Sequence, residues 1–210
     1  MTTPDTDEAD LLQRAKGGDQ QALAALFGRY RDRLRKVVRF RLDRRMAGRI
    51  DASDVLQDAY LDVAWRFPEY AAAPAVPIYL WLRALTGQRL VGLQRRHLGA
   101  QMRDAGQEVS LYRGALPAAS SASLAQQLLA GLTSPTQAAV RAEMQVRLQE
   151  ALNSMDPIDR EVVVLRHFEE LTNVEAAEVL GIETSAASKR YIRAIRRLKA
   201  ILDAVPGFFS

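Results

Sequence analysis

Between Ser185 and Leu202 the chain carries six cations, Lys189, Arg190, Arg193, Arg196, Arg197 and Lys199, and no acid. At helical spacing they fall on one side with Ala186. Ala187, Tyr191, Ala194, Ile195, Leu198, Ile201 and Leu202 fall on the other. Cations crowded on one short helix repel each other unless an anion compensates. A polyanion gains most, because each neutralised phosphate releases counterions. The start of the helix is small-chained (Ser185, Ala186, Ala187, Ser188), which lets a backbone come close to base edges. Lys189, Arg190 and Arg193 are therefore the candidates for DNA, with Thr184 and Ser185 near phosphates at the helix N-terminus. Arg196 and Arg197 are left to the phosphate backbone or to water. The bland alternative is a solvated basic face.

What precedes this helix decides for DNA. Thr172 and Glu175 form a capping box, and Gly181 suits the left-handed end of a short helix. Thr184 or Ser185 caps the next. A short helix, a glycine turn and a basic second helix make the helix-turn-helix pattern, whose second helix enters the major groove.

The amino-terminal half adds a second unit. Leu23, Leu26, Phe27, Tyr30, Leu34, Val37 and Val38 share one helical face, and ten cations against two acids lie from Arg29 to Arg49. The sign then reverses, with five acids and one Arg from Asp51 to Tyr70. Asp51 or Ser53 caps this acidic helix. Three prolines in PEYAAAPAVP, 68–77, predict a break. A further helix is expected from Ile78 to His97, carrying Trp81, Leu82, Leu85, Leu90 and Leu93 and closing on Arg95-Arg96. From Gly114 to Val140 no residue is charged. That stretch reads as a tether with a short helix around Leu124–Leu129, too apolar to be solvated chain and expected to lie against something. The last unit starts near Val140. Glu143–Leu152 is amphipathic, and Asp156-Pro157 is an N-cap followed by proline at the first position of a helix running to about Phe168.

Composition bounds the rest. The chain has 210 residues, 48% of them hydrophobic, which is enough for packed cores. With no cysteine there is no disulfide, and a reducing cytoplasm fits. The acidic start, MTTPDTDEAD, does not read as a signal peptide, and no run is apolar enough for a membrane span. An enzyme is the least favoured class. His97 and His167, the only histidines, are far apart, and neither a phosphate-binding glycine loop nor GxSxG is present. No metal or cofactor is expected.

Two segments carry a resemblance. GDQQALAALFGRYRDRL, DASDVLQDAYLDVAWRF and YLWLRALTGQRLVGLQRR resemble successive parts of region 2 of bacterial extracytoplasmic-function sigma factors. LNSMDPIDREVVVLRHFEELTNVEAAEVLGIETSAASKRYIRAIRRLKAIL resembles their region 4. The wording SAASKRYIRAIRRLK further resembles a subgroup common in planctomycete-type bacteria. The resemblance implies an all-α fold of two small helical domains. An acidic tail, 1–15, precedes region 2 at 16–98, and a linker, 99–140, leads to region 4 at 141–205. It implies binding to the β and β′ subunits of core RNA polymerase, promoter recognition and DNA opening, with an anti-sigma factor as a further possible partner and no role for a membrane. The linker would thread through the polymerase.

Carried over by residue, the D-x-x-D-V-x-Q-D motif falls on Asp51, Asp54, Val55, Gln57 and Asp58, with Asp62 beyond it, and implies docking on a polymerase coiled coil. Asp54, Gln57, Asp58 and Asp62 can share one face and offer acceptors to a basic helix. Phe67 and Tyr70 match the segment that holds a flipped −10 base, as a stacking wall or as core. Gln88, Arg89, Arg95 and Arg96 match the element at the −10 duplex edge, and Trp81 reads as core rather than a wedge. The −35 contacts would be Thr184, Ser185, Ala186, Lys189, Arg190 and Arg193. Gln88 stands where the family often has Asn, and Ser185-Ala186-Ala187-Ser188 where Gly-Thr-Val-Lys is common, so no promoter sequence carries over. The rival reading is a self-contained helix-turn-helix regulator. A third is an interaction protein that occupies polymerase without initiating.

Overall fold

The computed structural model describes residues 4–42, 46, 50–98, 116, 119–130 and 138–204. All its regular elements are helices. They divide into two compact units, Met1–Leu116 and Pro117–Ser210. The ordinary linker positions 99–115 and 131–137, including Leu132, lie outside the described residues, as do the Gly-Phe-Phe tail around Phe208 and the side chain of His97.

Unit 1 holds α1 (Pro4–Lys16), α2 (Gln20–Arg41), α3 (Ala52–Ala72) and α4 (Ile78–Leu98). From Pro4 on, the acidic start is not a free tail. It is a helix packed on α2, with Ala15 buried. Charge holds it: Arg29 pairs with Asp7 and Glu8, and the Tyr30 hydroxyl donates to Glu8. Asp19 caps α2 by accepting from the Gln21 and Ala22 N–H groups. The periodic face of α2 forms the core as its spacing requires, with Leu26, Leu34, Val37 and Val38 fully buried.

The break expected within 68–77 falls at 73–77. α3 runs through Pro68 to Ala72. Burial explains why: Phe67 and Tyr70 extend the apolar stripe of Val55, Ala59 and Val63 against α4, which outweighs the hydrogen bond that proline removes. The connecting loop shrinks to 73–77 and is pinned where the Tyr70 hydroxyl donates to the Val76 carbonyl at 2.9 Å.

Unit 2 holds α5 (Ser121–Ala130), α6 (Ala138–Asn153), α7 (Pro157–Val163), a π-helical turn (Val164–Phe168), α8 (Asn173–Leu180) and α9 (Thr184–Ala204). The uncharged stretch does lie against something: α5 packs on α6 and buries Leu124, Ala125 and Leu129. Its start is fixed by Ser120, whose Oγ accepts from the Ser123 N–H, and by Glu161, which accepts from the Ala119 N–H at 2.8 Å. Asp156 caps α7, with Pro157 in the first helical position. The helix expected to reach Phe168 does so, but its last turn is widened into π geometry, and Glu170 beyond it takes a φ of 59°.

Candidate functional site

In unit 2 the capping box forms in full. Thr172 Oγ1 accepts from the Glu175 N–H at 3.2 Å, and the Glu175 carboxylate accepts from the Thr172 N–H at 2.7 Å. Gly181 ends α8 with φ 64° and ψ 34°, a conformation that favours glycine. Asn173 then donates to the Thr184 carbonyl at 2.8 Å, tying the first residue of α8 to the first of α9. Ala187, Ala194, Leu198, Ile201 and Leu202 are buried, so α9 presents its other side to solvent.

That outer side is less uniformly free than the charge count suggests. Arg190 and Arg193 both reach Asp159 in the first turn of α7, whose side chain is only 9% exposed. Arg193 grips it with two donors at 2.9 Å, and Arg190 adds one at 2.8 Å. Arg197 donates to Ser154 and Lys199 pairs with Asp203. The cationic side of α9 therefore does pack at Arg190 and Arg193, because an acid sits on the facing helix. Thr184, Ser185, Ser188, Lys189 and Arg196 are exposed, and Ala186 is half-buried. Ile192 is exposed among them, 49% open. An apolar side chain among cations is of the kind that packs on a thymine methyl in a major groove.

The hydrogen bonds from Arg193, and then from Arg190, hold the Asp159 carboxyl below the usual carboxylate range, although burial pushes the other way. A lowered folded-state value means stability present above the unfolded pKa of about 3.9 and lost as pH falls through the folded value. Acid titration of the wild type is thus expected to loosen the α7–α9 contact only below about pH 4. In Asp159→Asn this acid-dependent step disappears. Amide exchange of α9 against pH reads the difference, and an unaltered profile rejects the assignment.

In unit 1, Asp51 caps α3, accepting from the Ser53 N–H, which holds its carboxyl below the ordinary range. Val55, expected at a docking surface, is fully buried. It lies about 100° round the helix from Asp54 and belongs to the core. Asp54 and Gln57 are exposed. Asp58 and Asp62 turn toward α4, where Arg89 lies 2.9 Å from the first and 3.9 Å from the second. Arg89, expected at DNA, is thus engaged with two acids expected at polymerase. All three remain part-exposed, so the pairing is a weak one. Leu61 and Trp65, 62% and 79% exposed, continue the line of Asp54 and Gln57 along the helix. They are the residues that sequence reasoning missed. Their signal was available: apolar residues four apart on the polar face of an amphipathic helix.

Phe67 and Tyr70 are 4% and 6% exposed. Tyr70 stacks on Trp81 with centroids 4.6 Å apart, and Phe67 meets the same indole edge-on. Both rings are buried, so of the two readings, stacking wall or core, the structure takes the core. Trp81 is core. The cluster instead backs a cavity of about 140 Å³ lined by Arg66, Glu69, Tyr70, Trp81 and Gln88, among others. Arg66 donates to the Gln88 side-chain oxygen at 3.3 Å. Arg66 and Glu69 enter the candidate site here, while Arg95 and Arg96 lie exposed farther along α4.

Residues 151–200, which include all of α7, α8 and the turn, match a known protein family. The match is to Sigma-70, region 4. The region 4 segment thus contains both Asp159 and its two arginines. Along 97% of its length the chain is 27% identical to RNA polymerase sigma factor NccH of Alcaligenes xylosoxydans xylosoxydans, covering 98% of that protein. The solved structure of CnrH in complex with the cytosolic domain of CnrY is 23% identical over 94% of this chain and 98% of that one, with a TM-score of 0.55. The fold is therefore shared with CnrH. The sigma factor RpoE, solved with the anti-sigma factor NepR from Bartonella quintana, aligns at 16% identity over 88% of this chain and 96% of that one, with a TM-score of 0.46. The chain is similar to RNA polymerase sigma factors. Among the described residues no group of three or more His, Asp or Glu could hold a metal, and no helix is long and apolar enough to cross a membrane.

Proposed function

We propose that the chain is a sigma factor of the extracytoplasmic-function type, which binds core RNA polymerase and directs it to promoters. The observation that carries this is the region 4 match laid on a formed helix-turn-helix with an exposed basic reading face. α9 reads the −35 element in the major groove. Lys189 and Arg193 approach base edges, while Thr184 and Ser185 meet phosphate at the helix N-terminus. Arg190 is largely taken up by Asp159.

In unit 1, Asp54, Gln57, Leu61 and Trp65 dock on polymerase, with acceptors at one end of the stripe and apolar anchors at the other. The cavity beside Gln88 receives an unpaired −10 base. Arg66, Glu69 and Gln88 supply donors and acceptors there, and Arg95 and Arg96 follow the duplex edge. Such a protein works in the cytoplasm, and a protein that covers it, as the CnrY domain accompanies CnrH, belongs to the same reading. The planctomycete-type subgroup rests on the wording of α9 alone.

Run-off transcription decides. Purified chain added to core polymerase is expected to start RNA from a defined site that core alone ignores. Tight operator binding without polymerase, and no stimulated initiation, would make it a stand-alone regulator. Core binding without initiation would make it an interaction protein.

A further inference from the structure

Asp159 is a buried acid of α7 that sits against two of the α9 cations whose spacing assigns them to a polyanion. It is 6% exposed, sits in the first turn of α7, and is 31 and 34 residues from its partners in sequence. A buried carboxylate is costly unless it is paired. This one accepts three charge-assisted hydrogen bonds, all from the reading helix.

The geometry of the grip matters. Arg193 uses Nε and one Nη2 hydrogen, the side edge of its fork, on the two carboxylate oxygens. The end edge, Nη1 with the remaining Nη2 hydrogen, is left open, and the side chain is 61% exposed. A guanidinium held in plane by one edge presents the other at a fixed angle. That end edge is the shape that meets guanine O6 and N7. Arg190, by contrast, is 29% exposed and shares Asp159 while lying 3.9 Å from Asp156. It closes the clamp from the inner side.

We infer that Asp159 is a positioning residue for sequence reading: it locks Arg193 so that its free edge addresses a guanine in the major groove, and Arg190 completes the lock. The inference rests on unit 2 being a major-groove reader. It adds that specificity depends on a residue of α7 that does not itself touch DNA. Without the lock, Arg193 keeps its charge and remains drawn to DNA, but any phosphate satisfies it. Discrimination then falls while electrostatic attraction does not.

The test uses the full chain assembled with core RNA polymerase. Duplexes are first selected from a randomised pool by the wild-type holoenzyme, and scrambled duplexes serve as the reference. Asp159→Asn, which keeps the shape, is expected to cut the preference for selected over scrambled duplex about tenfold, with a salt slope as steep as wild type or steeper, since no cation is lost. Arg193→Lys, which keeps the charge but cannot grip Asp159 with two donors, is expected to lose a similar factor at unchanged slope, with amide exchange of α9 confirming that the variant stays folded. Asp159→Asn on top of Arg193→Lys should add little, because one residue acts through the other. A loss shared equally by both duplexes, a shallower slope or fully additive effects would overturn the inference and mark Asp159 as structural. A wild-type holoenzyme that prefers no duplex would remove the underlying reading as well.

Discussion

Leu61→Ser combined with Trp65→Ser is expected to weaken binding to core RNA polymerase by roughly a hundredfold or more, on the scale of about 2 kcal/mol or above for each aromatic or aliphatic anchor at an interface centre. Both side chains stand out from α3, 62% and 79% exposed, and neither supports the core. Surface changes of this kind move stability by about 0.5 kcal/mol or less. The loss would therefore appear in a titration with labelled chain while the urea midpoint stays put. Asp54→Ala, at the acidic end of the same stripe, should cost less, since an exposed carboxylate is well screened. Unaltered affinity in the double serine variant would mean that the stripe is not the docking face.

The other large effect belongs to Trp81. Trp81→Ala is expected to destabilise unit 1 by about 3–5 kcal/mol. The indole is 5% exposed, stacks on Tyr70 and takes Phe67 on its edge, so its removal leaves a void that two rigid rings cannot fill. It also removes one wall of the cavity beside Gln88. Amide exchange should show α3 and α4 opening together, with the α8–α9 amides unchanged. Promoter opening should fail even at temperatures where the variant stays folded. A cost below about 1 kcal/mol would show that Trp81 is a surface wedge after all.

These two sites differ in how far the sequence announced them. The periodicity of α2, the capping box of Thr172 and Glu175, the glycine at 181 and the apolar side of α9 were all legible, and the structure keeps each. Each depends on residues within about a turn or two of one another, where helical spacing alone fixes which side chains meet. Pro68 itself does not stop α3, for the complementary reason, although the 68–77 segment does break the chain at 73–77. Its local penalty is real, but Phe67 and Tyr70 bury enough surface on α4 to carry the helix past it. The acidic start likewise reads as a tail because the partners of Asp7 and Glu8 lie a helix away, at Arg29 and Tyr30.

The candidate site divides along the same line. Which residues of α9 are cationic, and that they share a side, followed from spacing. Which of them are free did not, since Asp159 is brought to Arg190 and Arg193 only when α7 packs on α9. Each on its own helix, Asp58 and Arg89 point to different partners. The packing of α3 on α4 puts them 2.9 Å apart. By itself, then, the sequence determined the helices, their faces and the helix-turn-helix order, because those are set by neighbours along the chain. Only the tertiary structure decided which charges are spent inside the protein and which remain for a partner, because that depends on distances between elements that no local pattern encodes.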